Sequence, residues 1–299
     1  MSAARWLGWL LSAALLSGCL GSERGGGESA RREVCLAVLR QGLRGEEFWP
    51  AMHAAEALTL AGCGSEVRRF LEPRLEGEKD DQHRCGLARE LVRAGDRGRA
   101  EVLWEVLAAQ GSTGRVHAAE SLYKVGWPRR GAREDLLRTA MGEGGDIRLR
   151  LMSAAALARW CEEPAAVALL RDVAQEEDDP EVYRLAAWAL GRVGELGRDG
   201  PILRRRLEGA EGELTRAFLE IALANLGDPT ARVAVVGRLN SPDAMVRTYA
   251  AECAAGVELP GAVPLLTQQL HDKVLDARIR AAQALLMWCR RNRMAPSFP

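Results

Sequence analysis

The sequence predicts an all-α protein, an α-solenoid of about eight helix–turn–helix repeats. Three observations carry that expectation. Aromatic residues are only 5% of the 299, Ala and Leu are abundant, and alternating β-branched runs are missing, which leaves helical periodicity. "AAxAL" segments recur at a near-constant interval. Between them stand further amphipathic stretches, such as REDLLRTAM (133–141) and PILRRRLEG. One such unit cannot bury its apolar stripe, so stacked neighbours form a continuous core.

Taking the last residue of each segment as position zero, the anchors are Leu58, Leu91, Leu122, Leu157, Leu190, Leu223, Ala254 and Leu285, 31 to 35 residues apart. Three residues before them stand Ala55, Ala88, Ala119, Ala154, Ala187, Ala251 and Ala282. At helical spacing these share the anchor's face, where small side chains let two helices approach. Four residues after it lie Gly62, Gly95, Gly126, Gly194 and Gly227, placed for a left-handed helix stop. Arg84, Arg115, Arg150, Arg216, Arg247 and Arg278 recur seven before it. Upstream of each such helix is its partner, among them EVRRFLEPRL, RAEVLWEVLAA, AAVALLRDVAQ, ARVAVVGRL and AVPLLTQQL.

DPEVYRLAAWALGRVGE (179–195) and SPDAMVRTYAAECAAG (241–256) resemble the HEAT family, in the short bacterial HEAT-like form also found in phycobilin lyase subunits. GEGGDIRLRLMSAAALARW departs modestly, and the first two units depart most, as solenoid caps do. The resemblance implies a right-handed α–α superhelix of about sixteen helices over residues 31–293, with a tail at 294–299. It also implies that the recurrent Arg forms a ladder to acids of neighbouring repeats. The tetratricopeptide pattern of Trp, Gly-Tyr and Pro does not recur.

The N-terminus is a separate element. Residues 1–18 hold one charge, Arg5, and an apolar run from Trp6 to Leu16, shorter than the roughly twenty residues a spanning helix needs. This is the pattern of an export signal. Leu16-Ser17-Gly18-Cys19 resembles the lipobox of bacterial lipoproteins, which implies lipidation of Cys19 and removal of residues 1–18 as a signal peptide. Residues 19–30 then form the lipidated Cys and a flexible tether, rich in Gly and Ser. Multiple acyl chains give stable anchoring. Leu20, where a retention Asp would stand, points to the outer membrane rather than the inner.

The chain carries 41 Lys+Arg against 41 Asp+Glu, so charge gives no case for nucleic acid. No GxSxG, GxxxxGK[ST], HExxH or paired CxxC occurs. His53 and His117 occupy equivalent positions two units apart, on the order of 20 Å at 8–10 Å per layer, too far to share a metal. His83 and Cys85 near Cys63 read as a solvated His and a buried Cys rather than a zinc site. No catalytic residue, metal or cofactor is expected. The six cysteines beyond Cys19 read as buried thiols, with Cys35 to Cys63 or Cys85 the one bridge to check.

The inner helices should present positions −5, −2 and +2 to the concave surface. Arg93, Lys124, Arg159 and Arg192 then form a basic row across four units. Leu185, Trp188, Phe218, Ile221 and Tyr249 form an apolar patch beside it. Exposed aromatics next to Arg are interface anchors. The expected function is a membrane-anchored, non-catalytic scaffold at the bacterial cell envelope. It would be a monomer that binds an acidic, partly apolar protein partner through Trp188, Arg192, Phe218, Ile221, Tyr249, Arg159, Lys124 and Arg93. The alternatives are an enzyme or enzyme subunit of the lyase type, or a structural spacer.

Overall fold

A computed structural model describes residues 27–127, 133–142 and 144–294. The signal segment 1–18, the lipidation site Cys19 and the tail 295–299 lie outside the described residues. Sixteen α-helices occur among those described, and no strand. They pair as outer and inner helices: α1 (27–43) with α2 (Phe48–Leu58), α3 (Gly64–Gly77) with α4 (Asp81–Arg93), α5 (Ala100–Ala108) with α6 (Arg115–Val125), and α7 (Glu134–Gly142) with α8 (Ile147–Cys161). The series continues with α9 (Pro164–Glu176) and α10 (Pro180–Val193), α11 (Leu196–Gly209) and α12 (Glu213–Leu226), α13 (Pro229–Arg238) and α14 (Ala244–Gly256), and α15 (Ala262–Gln269) and α16 (Leu275–Met294). Residues 27–30, expected in the tether, are already helical.

Local chemistry explains the boundaries. Asp80, Asp146, Asp179 and Asp243 sit in extended conformation before α4, α8, α10 and α14, and each side chain accepts a first-turn N–H, the N-cap arrangement. Pro164, Pro180 and Pro229 occupy first-turn positions of α9, α10 and α13, where the missing N–H costs nothing. Gly62, Gly95, Gly126 and Gly227 adopt positive φ at the predicted stops. Gly194 does not: its φ is −92°. Glycine is required there by crowding, since a Cβ would lie 2.5 Å from an Asp199 carboxylate oxygen.

All eight anchors are buried, as are the seven alanines three residues before them. The exception is unit six, where Glu220 takes the alanine's place, is buried, and accepts two hydrogen bonds from Arg238. The recurrent Arg makes the expected contact in part and a second one besides. Arg115, Arg150 and Arg216 donate to the carbonyls of Leu107, Met141 and Leu207, the unpaired ends of their own outer helices. Arg278 likewise donates to the Asp272 carbonyl. Arg84 and Arg247 pair with acids of the next unit, Glu105 and Asp272, as expected. A further ladder of ion pairs runs between outer helices, through Arg40–Glu66, Arg171–Asp199 and Arg204–Asp228.

The solenoid closes. Each inner helix packs on the next from α2 to α16, and α16 packs back on α2. Arg290 of α16 donates to the Leu60 carbonyl, and His53 of α2 meets Asp276 of α16 at 2.7 Å. Eight helices spaced at the usual 8–10 Å make a ring with an axial radius of roughly 12 Å. Subtracting the ~5 Å radius of a helix with its side chains leaves a central space that long side chains can cross.

Candidate functional site

Closure turns the expected concave row into a plugged centre. Arg89 pairs with Glu90 at 2.6 Å, and Glu90 pairs with Arg93. Arg93 reaches Glu56 at 3.2 Å, Glu56 accepts from Arg280 at 3.0 Å, and Arg280 faces Glu252 at 3.8 Å. Glu252 closes the chain on Arg192 at 3.4 Å. Lys124 and Glu120 pair separately at 2.8 Å within α6. This network joins α4, α2, α16, α14 and α10.

Burial and pairing work against each other on these groups. Burial pushes the Glu120 carboxyl up, yet Lys124 and Arg89 bring it down to about 2. The same opposition leaves Glu56 and Glu252 below the ordinary carboxylate range, with Arg93 and Arg280 the main cations for the first and Arg280 and Arg192 for the second. Asp276 is lowered too: burial pushes it up, but the His53 hydrogen bond and the charges of His53 and Arg280 together bring it down. Burial lowers His53 and His117, which favours their neutral forms.

The basic row is therefore not a free cationic surface. Arg93, Lys124 and Arg192 are tied to acids, and one of these, Glu252 on α14, comes from a helix that linear stacking would not bring near Arg192 on α10. Arg159 lies over both the Tyr123 and Trp160 rings, 4.9 Å from each centroid, and donates to the Tyr123 carbonyl. Ile221 belongs to the core, with 6% of its surface exposed. Its position at −2 failed because α12 packs tightly between α10 and α14.

The rest of the patch does come together. Trp188, Phe218 and Tyr249 are half-buried and line a cleft of about 830 Å³ at the mouth of the ring, with Leu185 and Met152 beside them. Trp188 meets Tyr123 edge-on at 5.1 Å, and Phe218 meets Tyr249 at 4.6 Å. Arg184 stands over the Phe218 ring at 5.7 Å and forms no ion pair with a described residue. Other cations of the lining are paired: Arg148 with Glu181, Lys124 with Glu120, and Arg280 with Glu56 and Glu252.

Sequence reasoning missed Arg184, Glu56, Glu252 and Arg280. The last three stand at inner positions −2 and −5 of their units, but their meaning depends on ring closure; an Arg at −5, where most other units carry His or apolar residues, was the available signal. His53 and His117 both line the cleft, and Trp49 stacks on His117 at 4.9 Å. Among the described residues no cluster of His, Cys, Asp and Glu could hold a metal. His83 stacks on Phe48 at 3.8 Å, while Cys85 is buried. No disulfide joins the six described cysteines. Cys35 lies within electrostatic reach of Cys289, rather than of Cys63 or Cys85. Burial pushes the thiols of Cys35, Cys85 and Cys253 up to about 12. No described helix is long and apolar enough to cross a membrane.

A family model for HEAT repeats matches residues 134–224 and 201–286, together just over half of the chain. A search of curated proteins finds no significant sequence match. Among solved structures, human deoxyhypusine hydroxylase in complex with glycerol is similar at 20% identity and a TM-score of 0.42, over 88% of this chain and 99% of that one. A likeness of that degree says nothing of activity.

Proposed function

The chain belongs to the HEAT-repeat family, and on that footing we propose that it is a lipid-tethered, non-catalytic scaffold of the bacterial cell envelope. It holds a segment of a partner protein in the mouth of its ring. The observation that carries this reading is the cleft wall of Leu185, Trp188, Phe218 and Tyr249 with one unpaired cation, Arg184. Half-exposed aromatics around a concavity are recognition chemistry. The ionisable groups at the ring centre are committed to one another, which supports binding rather than turnover.

Ring closure sets the size of the partner. A folded domain cannot lie along a concave surface that meets itself, whereas an extended segment or a single side chain enters the mouth. Burying one Phe or Trp there removes about 150–250 Å², worth ~4–6 kcal/mol before the cost of association. A carboxylate on the same segment would pair with Arg184. The partner is thus partly apolar with at least one acid, as the sequence suggests, although Arg184 replaces the basic row as the reason. The lipobox supports anchoring through Cys19, with the outer membrane as the site.

Site-specific photo-crosslinking tests this. A benzoyl-phenylalanine at Phe218 should give a discrete partner adduct in cells, lost with Trp188→Glu. The same group at Val233, on the outside of the ring and 73% exposed, should not. Identical adducts from both positions would remove the cleft from consideration.

A further inference from the structure

Helix α1 determines which face of the ring the preceding chain reaches. Near the end of α1, Gly42 packs so closely on Ile279, in the first turns of α16, that a Cβ would lie 2.6 Å from its Cδ1. At its middle, Cys35 neighbours Cys289 in the last turns of α16. The two helices are antiparallel, so residue 27 lies on the face where the inner helices end. The cleft opens on the opposite face: its lining includes Val116, Arg148, Glu181, Met245 and Asp276, all from first turns of inner helices.

Charge divides along the same axis. The face of first turns carries the capping carboxylates Asp80, Asp146, Asp179 and Asp243, with Glu177 and Asp178 beside them. On the other face Arg97 and Arg198 are exposed and form no ion pair with a described residue. Among the described residues, exposed Arg290 donates only to the Leu60 carbonyl. The acids Glu66, Asp199 and Asp228 of that face are consumed by Arg40, Arg171 and Arg204, while Glu134, Glu162, Glu195 and Glu258 have no cation partner among the described residues. Trp127 and Trp160, half-buried, border a second cleft of about 450 Å³ beside Arg97.

Tether length closes the argument. From Cys19 to residue 27 there are eight steps in the chain, at most about 28 Å when fully extended. The 20 residues of α16 span about 30 Å. A lipid on Cys19 cannot let the ring turn over and lay its acidic face on the bilayer. We infer that the ring rests on an anionic lipid surface by the face where its inner helices end. Arg97, Arg198 and Arg290 meet headgroup phosphates, Trp127 and Trp160 lie at the interface, and the partner cleft opens away from the membrane. This inference rests on the lipid-tether reading given above.

The test uses the mature lipoprotein on phosphatidylglycerol vesicles containing a headgroup-attached quencher. A fluorescent amino acid is placed at Gly197, which has open space around it, or at Met245, 51% exposed on the cleft rim. Quenching at position 197 and not at 245 is expected; equal quenching, or more at 245, overturns the orientation. A second arm measures partition of the Cys19→Ser protein. Binding to phosphatidylglycerol over phosphatidylcholine at low salt is expected. Arg97→Glu/Arg198→Glu/Arg290→Glu should weaken it on the order of 100-fold, from about fivefold per basic side chain, with helical circular dichroism unchanged. Absence of binding, or equal loss with Arg184→Glu, overturns the lipid-facing surface. Mass spectrometry showing no lipid on Cys19 would overturn the tether reading alone, and the partition arm would still decide the face.

Discussion

Arg280 donates to the Glu56 carboxylate over 3.0 Å, although 224 residues separate them in the chain. This bond joins the last inner helix to the first. Its acceptor is shared with Arg93 and its donor with Glu252, so one contact couples the seam to both sides of the ring. A solenoid with free ends could fray from either terminus; here each end repeat caps the other.

Removing the donor should therefore cost more than an ordinary surface pair. Arg280→Met leaves Glu56 and Glu252 buried without their main shared cation, at a cost of about 3–5 kcal/mol. The Glu56→Leu/Arg280→Met double variant should recover part of that loss. Urea denaturation checks both, and a double variant less stable than the sum of the singles would refute the coupling.

Acid should destabilise the fold in two windows. His53 and His117 have folded values below the unfolded ~6.5, so their contribution is complete above that pH and declines as pH falls through the folded values. Glu56, Glu120, Glu252 and Asp276 are lowered as well. Their contribution is present above the unfolded values of about 4 and is lost toward pH 2, where Glu120 takes up its proton. Melting temperature should fall gently below pH 6.5 and steeply below about 4.5. His53→Asn should flatten the first decline and remove only the Asp276 share of the second, leaving that of Glu56, Glu120 and Glu252.

Two glycines should respond to alanine with opposite signs. At Gly191 a Cβ would lie 2.6 Å from the Ala222 Cα, where α10 meets α12; overpacking against backbone costs about 1–3 kcal/mol. At Gly237, inside α13, no atom lies within 4 Å of the added carbon, and Gly237→Ala should stabilise by about 0.5–1 kcal/mol. Thermal melts of the two variants check the pair.

Asp199 is fully buried, accepts from Arg171 at 2.5 Å, and accepts the Glu195 N–H at 2.7 Å. Asp199→Ala removes both bonds and leaves a guanidinium half-buried without an acid. A loss of about 2–3 kcal/mol is expected, with Asp199→Asn intermediate. Hydrogen exchange should localise the change to α9 and α11.

The repeat, its period, the buried anchors and the close-approach alanines were all legible in the sequence. Each is a local consequence of helical periodicity repeated eight times, and local periodicity is written in the order of residues. The apolar half of the site was legible for the same reason: Leu185, Trp188, Phe218 and Tyr249 could be placed by counting 100° per residue. Ile221 failed because that count gives direction and not the nearness of neighbouring helices. The recurrent Arg was legible as a repeat feature, but its acceptor was not, since an outer helix leaves carbonyls as accessible as carboxylates.

Ring closure belonged to the tertiary structure alone. A small change in the rotation between successive repeats, summed over eight, decides whether the ends pass or meet, and no single residue encodes that sum. Closure then decided what the charges do. Arg192 looks like part of a free basic row in a linear stack; in the ring it faces Glu252 of α14, and Glu56 beside Arg93 gains Arg280 from across the seam. The sequence determined which residues point inward. The tertiary structure decided that they would find each other, because oppositely charged groups brought together in a desolvated centre pair rather than remain open to a ligand.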